Sequence, residues 1–171
     1  LGVGSGSHAE QVGKMMIGTE RVLLEEKPDL VCVYADLNTS IAGAIAAAKL
    51  GIPIVQLEAG LRSFDRNMPE EINRLVVDRL ASHFFAPTDL QKENLRREGT
   101  VENVRVVGNL IVDAVAETLP KALEVSGVLA RLDLNPKGYA LATLHRAGAR
   151  VYRTSADANQ QPARRLGRPA G

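Results

Sequence analysis

Three carboxylates stand where a parallel α/β protein would place its chemistry. Asp36 directly follows the apolar run Leu30-Val-Cys-Val-Tyr-Ala35, Glu58 directly follows Ile54-Val-Gln-Leu57, and Glu70 lies in Pro69-Glu-Glu-Ile-Asn-Arg74. In an open parallel sheet, ligands bind beyond the carboxyl ends of the strands. Carboxylates on that rim can act as acid, base and orienting group once burial or mutual repulsion separates their pKa values. The same positions also suit structural duties: Asp36 can cap the following turn, and Glu70 complements a helix dipole. His145-Arg146 follows a further apolar run, Tyr139-Ala-Leu-Ala-Thr143. A His-Arg pair at such an edge suits a phosphate or an oxyanion. His8 at a helix start and His83 within a strand read as structural.

Other chemistries find little support. Gly2-Val-Gly-Ser-Gly6 resembles a phosphate-cradling turn. No strand precedes it, and neither the third glycine of G-x-G-x-x-G nor a Gly-Lys-Ser/Thr follows, so a flexible loop is the better reading. Three scattered histidines and one cysteine give no zinc spacing, and no G-x-S-x-G elbow occurs. Neither a metal nor a cofactor is expected.

The elements that must hold the carboxylates follow from periodicity. Ser7-His-Ala-Glu10 has capping-box spacing, and Val12, Met15, Met16, Thr19, Val22 and Leu23 recur at helical intervals until Lys27-Pro28. The run Leu30–Ala35 suits a strand covered on both faces. Asn38, Thr39 or Ser40 can cap the alanine-rich helix Ile41–Leu50, which stops at Gly51. Ile54–Leu57 is a second strand. Pro69 suits a first helical position, with Ile72, Leu75, Val76 and Leu80 as that helix's apolar stripe. His83–Ala86 is a third strand, and Thr88-Asp-Leu-Gln91 a capping box for a helix closing at Gly99. Val104–Val107 is a fourth strand, Leu110 to Arg131 a helical stretch, Asn135–Gly138 a loop and Tyr139–Thr143 a last strand. Alternating strands and helices predict a doubly wound, Rossmann-like parallel sheet.

Composition agrees with a globular domain of this class. The chain has 171 residues, 45% of them hydrophobic and 24% charged, with a formal charge of +1. Near-neutrality argues against a general nucleic-acid binder, and the lone Cys32 excludes a disulfide scaffold. No run approaches the ~20 apolar residues of a membrane span, and Leu1–Ser7 lacks the regions of a signal peptide, so a cytoplasmic protein is expected. Residues 148–171 hold five arginines against Asp157 and lose apolar periodicity, which predicts a disordered basic tail.

Two segments together are distinctive. Glu58-Ala-Gly-Leu-Arg-Ser63 and Met68-Pro-Glu-Glu-Ile-Asn-Arg74 resemble the signature of UDP-N-acetylglucosamine 2-epimerases, especially the non-hydrolysing type. Leu1–Gln11, Phe85–Thr88, Glu93–Gly99, Val107–Asn109 and Thr143–Ala147 resemble further family segments, in the family's order.

The resemblance implies a two-domain architecture of the glycosyltransferase-B kind, with the nucleotide sugar in the cleft between domains. It divides the chain into 1–118, a Rossmann-like domain lacking its first strand; 119–147, a connector helix and the first strand of a second domain; and the tail 148–171. Asp36, Glu58, Glu70 and His145 are the implied catalytic residues, and Arg62, Arg74 and Arg146 the implied substrate-binding ones. Asp36 lies in Ala35-Asp-Leu-Asn-Thr-Ser40, with alanine where the family's turn has glycine. The implied partners are UDP-GlcNAc and UDP-ManNAc, with a homodimer when complete, in cell-envelope polysaccharide synthesis. The 171-residue chain alone is expected to be inactive. A hydrolysing epimerase, a sugar transferase of the same fold and a non-catalytic fragment stay open as alternatives.

Overall fold

The computed structural model describes residues 1–143. Helix α1 (His8–Glu26) leads into strand β1 (Val31–Tyr34), α2 (Asn38–Lys49), β2 (Ile54–Leu57), α3 (Pro69–Leu80), β3 (His83–Ala86), α4 (Asp89–Arg97) and β4 (Val104–Val106). The strands form one sheet in the order β1-β2-β3-β4, and every neighbouring pair is parallel. Register sets Tyr34 beside Leu57 at the carboxyl ends of β1 and β2. The fold is therefore the parallel, Rossmann-like α/β class that the alternation predicts.

Local chemistry explains most boundaries. Ser7 Oγ accepts the Glu10 N–H at 3.3 Å, while the Glu10 carboxylate turns to Lys14 at 2.6 Å, so only half of the capping box forms. Thr88 caps α4 by accepting from Leu90 N at 3.2 Å. Pro69 opens α3, where its missing N–H costs nothing. The expected cap of α2 does not form. Leu37 is the N-cap without a side-chain bond, Asn38 reaches α1 instead, and Ser40 donates to the Tyr34 carbonyl at 2.7 Å.

The core gathers Leu23, Val33, Ala44, Ala46, Ala47, Ile54 and Val77, with a smaller cluster of Ala59, Phe84 and Leu95. Burying side chains of the Ile54 or Val77 size contributes about 1.5–3 kcal/mol each. Strand β1 departs from expectation: Val33 is buried, but Cys32 and Tyr34 are exposed, so it is covered on one face. Helix α3 departs further. It buries Glu71, Asn73, Val77 and Asp78, while the stripe of Ile72, Leu75, Val76 and Leu80 lines an open cavity of about 530 Å³.

Backbone contacts divide the chain into Leu1–Pro120 and Lys121–Gly171, the boundary falling at Pro120 inside α5 (Leu110–Val125). A break at Ser126-Gly127 separates α5 from α6 (Val128–Arg131), so the expected continuous helix is two. The loop at Asn135–Gly138 closes with a 2.9 Å bond from Gly138 N to Asn135 O. The strand expected at Tyr139–Thr143 is not formed: no described strand pairs with it, and an unpaired segment has no ladder to define it. His145, Arg146 and the tail 148–171 lie outside the described residues. Among the described residues, no helix is long and apolar enough to cross a membrane.

Candidate active site

Both strand exits turn through the left-handed region. Ala35 has φ 62° and Glu58 φ 59°. A side-chain-bearing residue pays roughly 1–2 kcal/mol there, which is the physical reason a glycine is the easier choice at position 35. The turn at Ala35 lifts Asp36 off the end of β1 and aims it across towards α3.

There the carboxylate meets Arg74, whose Nη2 donates to Asp36 Oδ2. Arg74 Nη1 also donates to Glu71 Oε2 at 3.0 Å. Asn73 Nδ2 donates to the Asp36 carbonyl at 2.8 Å, so backbone and side chain of residue 36 are both held by α3. The guanidinium of Arg74 is raised above its ordinary value; burial opposes this but is outweighed by its bonds to Asp36 and Glu71.

Asp36 and Glu70 line one cavity of about 310 Å³, together with His8, Gln11, Asn38 and Asn73. Glu58 is not among the residues lining it. Its Oε1 lies 3.4 Å from the Tyr34 hydroxyl, which donates to it. The phenol is held above its ordinary value by desolvation, then by the charge and hydrogen bond of Glu58. Of the three expected carboxylates, the structure thus brings two into one cavity and leaves the third at the neighbouring strand exit.

The segment that carries Glu58 is clasped from beneath. Ala59 N donates to Phe85 O at 3.1 Å, Gly60 N to Asp78 Oδ2 at 3.1 Å, and Asn94 Nδ2 to Gly60 O at 3.0 Å. Arg62, expected to bind substrate, does not present its guanidinium to the cavity. Its side chain is only 1% exposed and is engaged by Asp78 at 2.7 Å and Glu98 at 2.6 Å. A buried arginine must be paired, and Arg62 finds both partners inside the fold, so it fastens the loop. Its guanidinium is held above the ordinary value; burial opposes this, but the hydrogen bonds and charges of Glu98 and Asp78 prevail. Burial pushes the Asp78 carboxyl up despite Arg62 and the Gly60 N–H.

Glu71 completes the clasp by accepting from Ser63 N at 2.9 Å and Phe64 N at 3.0 Å. Burial disfavours its charge, but the Ser63 N–H, Arg74 and the Phe64 N–H outweigh it and hold the carboxyl below its ordinary value. An unfolded glutamate titrates near ~4.3. The stability Glu71 contributes is therefore fully present above that pH and is lost as pH falls through the lower folded value. The protection of the Ser63 and Phe64 amides, taken against the intrinsic exchange rate at each pH, is expected to fall below about pH 4, and Glu71→Gln is expected to bring the same loss of protection at neutral pH, at a cost of about 1.5–3 kcal/mol. Equal exchange in both proteins at neutral pH would remove Glu71 from the clasp.

Sequence reasoning missed His8, Gln11, Asn38 and Asn73 as cavity residues. Asn73 carried a signal, since it lies three positions after Glu70 and so on the same helical face. His8 carried none, because only the packing of α1 against α2 brings it to Asp36.

The family model described as UDP-N-acetylglucosamine 2-epimerase matches residues 1–158. The chain belongs to this epimerase family. Similar curated proteins include a UDP-N-acetylglucosamine 2-epimerase of Methanocaldococcus jannaschii, 54% identical over 86% of this chain and 41% of the relative. One of Methanococcus maripaludis is 50% identical over the same shares. A UDP-2,3-diacetamido-2,3-dideoxy-D-glucuronate 2-epimerase of Pseudomonas aeruginosa is 40% identical, also over 86% and 41%. The chain thus spans about two-fifths of the length of these epimerases. Among solved structures, the Methanocaldococcus jannaschii enzyme in complex with UDP-GlcNAc and UDP is similar with a TM-score of 0.73, covering 78% of this chain and 37% of that one. The Neisseria meningitidis enzyme bound to UDP-GlcNAc has a TM-score of 0.68 at 33% identity, covering 75% and 35%.

Proposed function

We propose that the full-length chain interconverts UDP-GlcNAc and UDP-ManNAc. The observation that carries this reading is the meeting of Asp36 and Glu70 in one cavity at the strand ends, within a family of 2-epimerases. The C2 proton of the sugar has no neighbouring carbonyl and resists direct abstraction. Departure of UDP from C1 builds positive character beside C2, and a carboxylate then takes the C2 proton as the C1–O bond breaks. Return of UDP to C1, with a proton delivered to the opposite face of C2, yields the epimer. The cycle consumes nothing and needs no redox partner.

Asp36, Glu58 and Glu70 are the acid/base groups, which proton transfer requires near both faces of C2. Arg74 orients Asp36 through their ion pair. His145 and Arg146 serve the departing diphosphate, where cationic donors offset developing charge. The protein acts in the cytoplasm, in the supply of an N-acetylmannosamine donor for envelope polysaccharide, and as a homodimer.

Incubating UDP-GlcNAc with the full-length chain in deuterated water is expected to place deuterium at C2 and to produce UDP-ManNAc, both read by NMR. Release of free ManNAc with UDP would instead support hydrolysis. Absence of C2 exchange would refute the epimerase reading.

A further inference from the structure

Nothing in the proposed acid/base set uses His8, yet it is the first residue of α1 and lines the cavity of Asp36 and Glu70. Its ring is oriented by a chain of side-chain amides whose two ends are fixed. At one end, Asn73 Nδ2 donates to the Asp36 carbonyl at 2.8 Å. At the other, Gln11 Nε2 donates to the Gly4 carbonyl at 3.3 Å. A backbone carbonyl only accepts, so neither amide can be turned over without losing its bond.

Asn38 lies between these fixed ends. Its Oδ1 faces Asn73 Nδ2 at 3.5 Å, and its Nδ2 donates to Gln11 Oε1 at 2.9 Å. The same Nδ2 stands 3.2 Å from His8 Nδ1. An amide nitrogen has hydrogens and no lone pair to offer, so His8 Nδ1 must be the acceptor. In the neutral ring the proton then resides on Nε2, which is left as a donor.

Position adds a second argument. His8 begins a helix of 19 residues, whose N-terminus carries partial positive charge. Ser7 already satisfies the N–H groups of Glu10 and Gln11, through its hydroxyl and its carbonyl respectively. The N–H groups of His8 and Ala9 belong to the first turn, which has no intrahelical acceptors for them. Donors of this kind suit an anionic oxygen. The Asp36 carboxylate of the same cavity is turned into an ion pair with Arg74.

We propose that His8 is a substrate-binding residue whose Nε2–H donates to a diphosphate oxygen of the nucleotide sugar, with Asn38 as the positioning residue that sets its tautomer. The assignment of the anion as a nucleotide-sugar diphosphate rests on the epimerase reading; the tautomer does not. Its role is distinct from that of the carboxylates, since it holds the ligand and moves no proton.

The tautomer is read from long-range proton–nitrogen NMR correlations on the 171-residue chain at about pH 8, above the ordinary histidine range. The three histidines are assigned by single His→Gln substitutions. His8 is expected to show the Nε2-protonated pattern, and Asn38→Asp, which cannot donate from that position, is expected to abolish it. An Nδ1-protonated His8 in the unsubstituted chain, or an unchanged pattern in Asn38→Asp, would overturn the assignment.

The contact is read by calorimetric titration of the full-length chain with UDP. His8→Ala is expected to weaken binding about tenfold or more, the effect of one lost bond to a charged acceptor. His8→Gln, whose amide can present a donor near the Nε2 position, is expected to stay within about threefold of the unsubstituted chain. Unchanged affinity in His8→Ala, or equal losses in both variants, would overturn the proposal. If UDP binding follows the expected pattern while C2 exchange is absent, the epimerase reading falls and the diphosphate contact stands.

Discussion

Glu70→Gln and Asp36→Asn, each in the full-length chain, are expected to lower turnover by about 10²–10⁴-fold, the usual effect of losing a general acid or base. UDP affinity is expected to change little, because in the proposed reaction these carboxylates act on the sugar and not on the nucleotide. The expected signature is a fall in kcat without a matching rise in KM. Of the two, Glu70→Gln is the cleaner test. Its carboxylate faces the cavity, and the clasp beneath the loop is made by its neighbour Glu71. Asp36→Asn also removes the charge facing Arg74, leaving a partly buried cation with one partner fewer, so some loss of stability is expected alongside. Near-normal turnover in Glu70→Gln would return that residue to a helix-dipole role.

Gly60→Ala is expected to be the most damaging single-methyl change in residues 1–120. Gly60 has φ +79°, and a Cβ there would stand 2.3 Å from the Gln91 carbonyl oxygen and 3.0 Å from Leu95 Cγ. The obstruction is backbone of α4, which cannot swing aside as a side-chain end can. Left-handed strain and overpacking together suggest a cost of about 3 kcal/mol or more, or roughly 10 °C in Tm for a chain of this length. Gly43→Ala is the control: its site in α2 is open, with nothing within 4 Å of the added Cβ. A gain of about 0.4–1 kcal/mol is expected there. Thermal unfolding followed by circular dichroism separates the two; comparable Tm values would show that α4 yields at Gln91 and that the close approach is not rigid.

The strands were legible because each is a short apolar run ending at a polar or small residue, and the four sheet strands lie where those runs fall. Asp36 and Glu58 at the strand exits followed from the same pattern. Periodicity misled at α3. Ile72, Leu75, Val76 and Leu80 form a regular stripe, yet the inward face carries Glu71, Asn73 and Asp78. Glu71 and Asp78 are wanted inside because the loop between β2 and α3 turns its N–H groups towards them, Asn73 because it donates to the Asp36 carbonyl, and hydrophobic counting does not see backbone partners. The partners of Arg62 were hidden for a related reason. An arginine in a signature segment invites assignment to an anionic ligand, but its acids, Asp78 and Glu98, lie 16 and 36 positions away in sequence and meet it only in the fold. Tyr139–Thr143 has strand composition, and composition alone does not supply a neighbour to pair with.

The clasp under the Glu58 loop gives the site an unusual relation to heat. Arg62, Asp78, Glu71 and Arg74 hold it with ions largely withdrawn from water, and the penalty for withdrawing ions shrinks as temperature rises. The hydrocarbon core offers no comparable gain, since its contribution per unit area levels off. Warming therefore shifts the balance of the molecule towards its ionic half. The loop that carries Glu58 is thus fastened by the contacts least weakened on heating, and its geometry should outlast looser parts of the chain as the protein approaches melting.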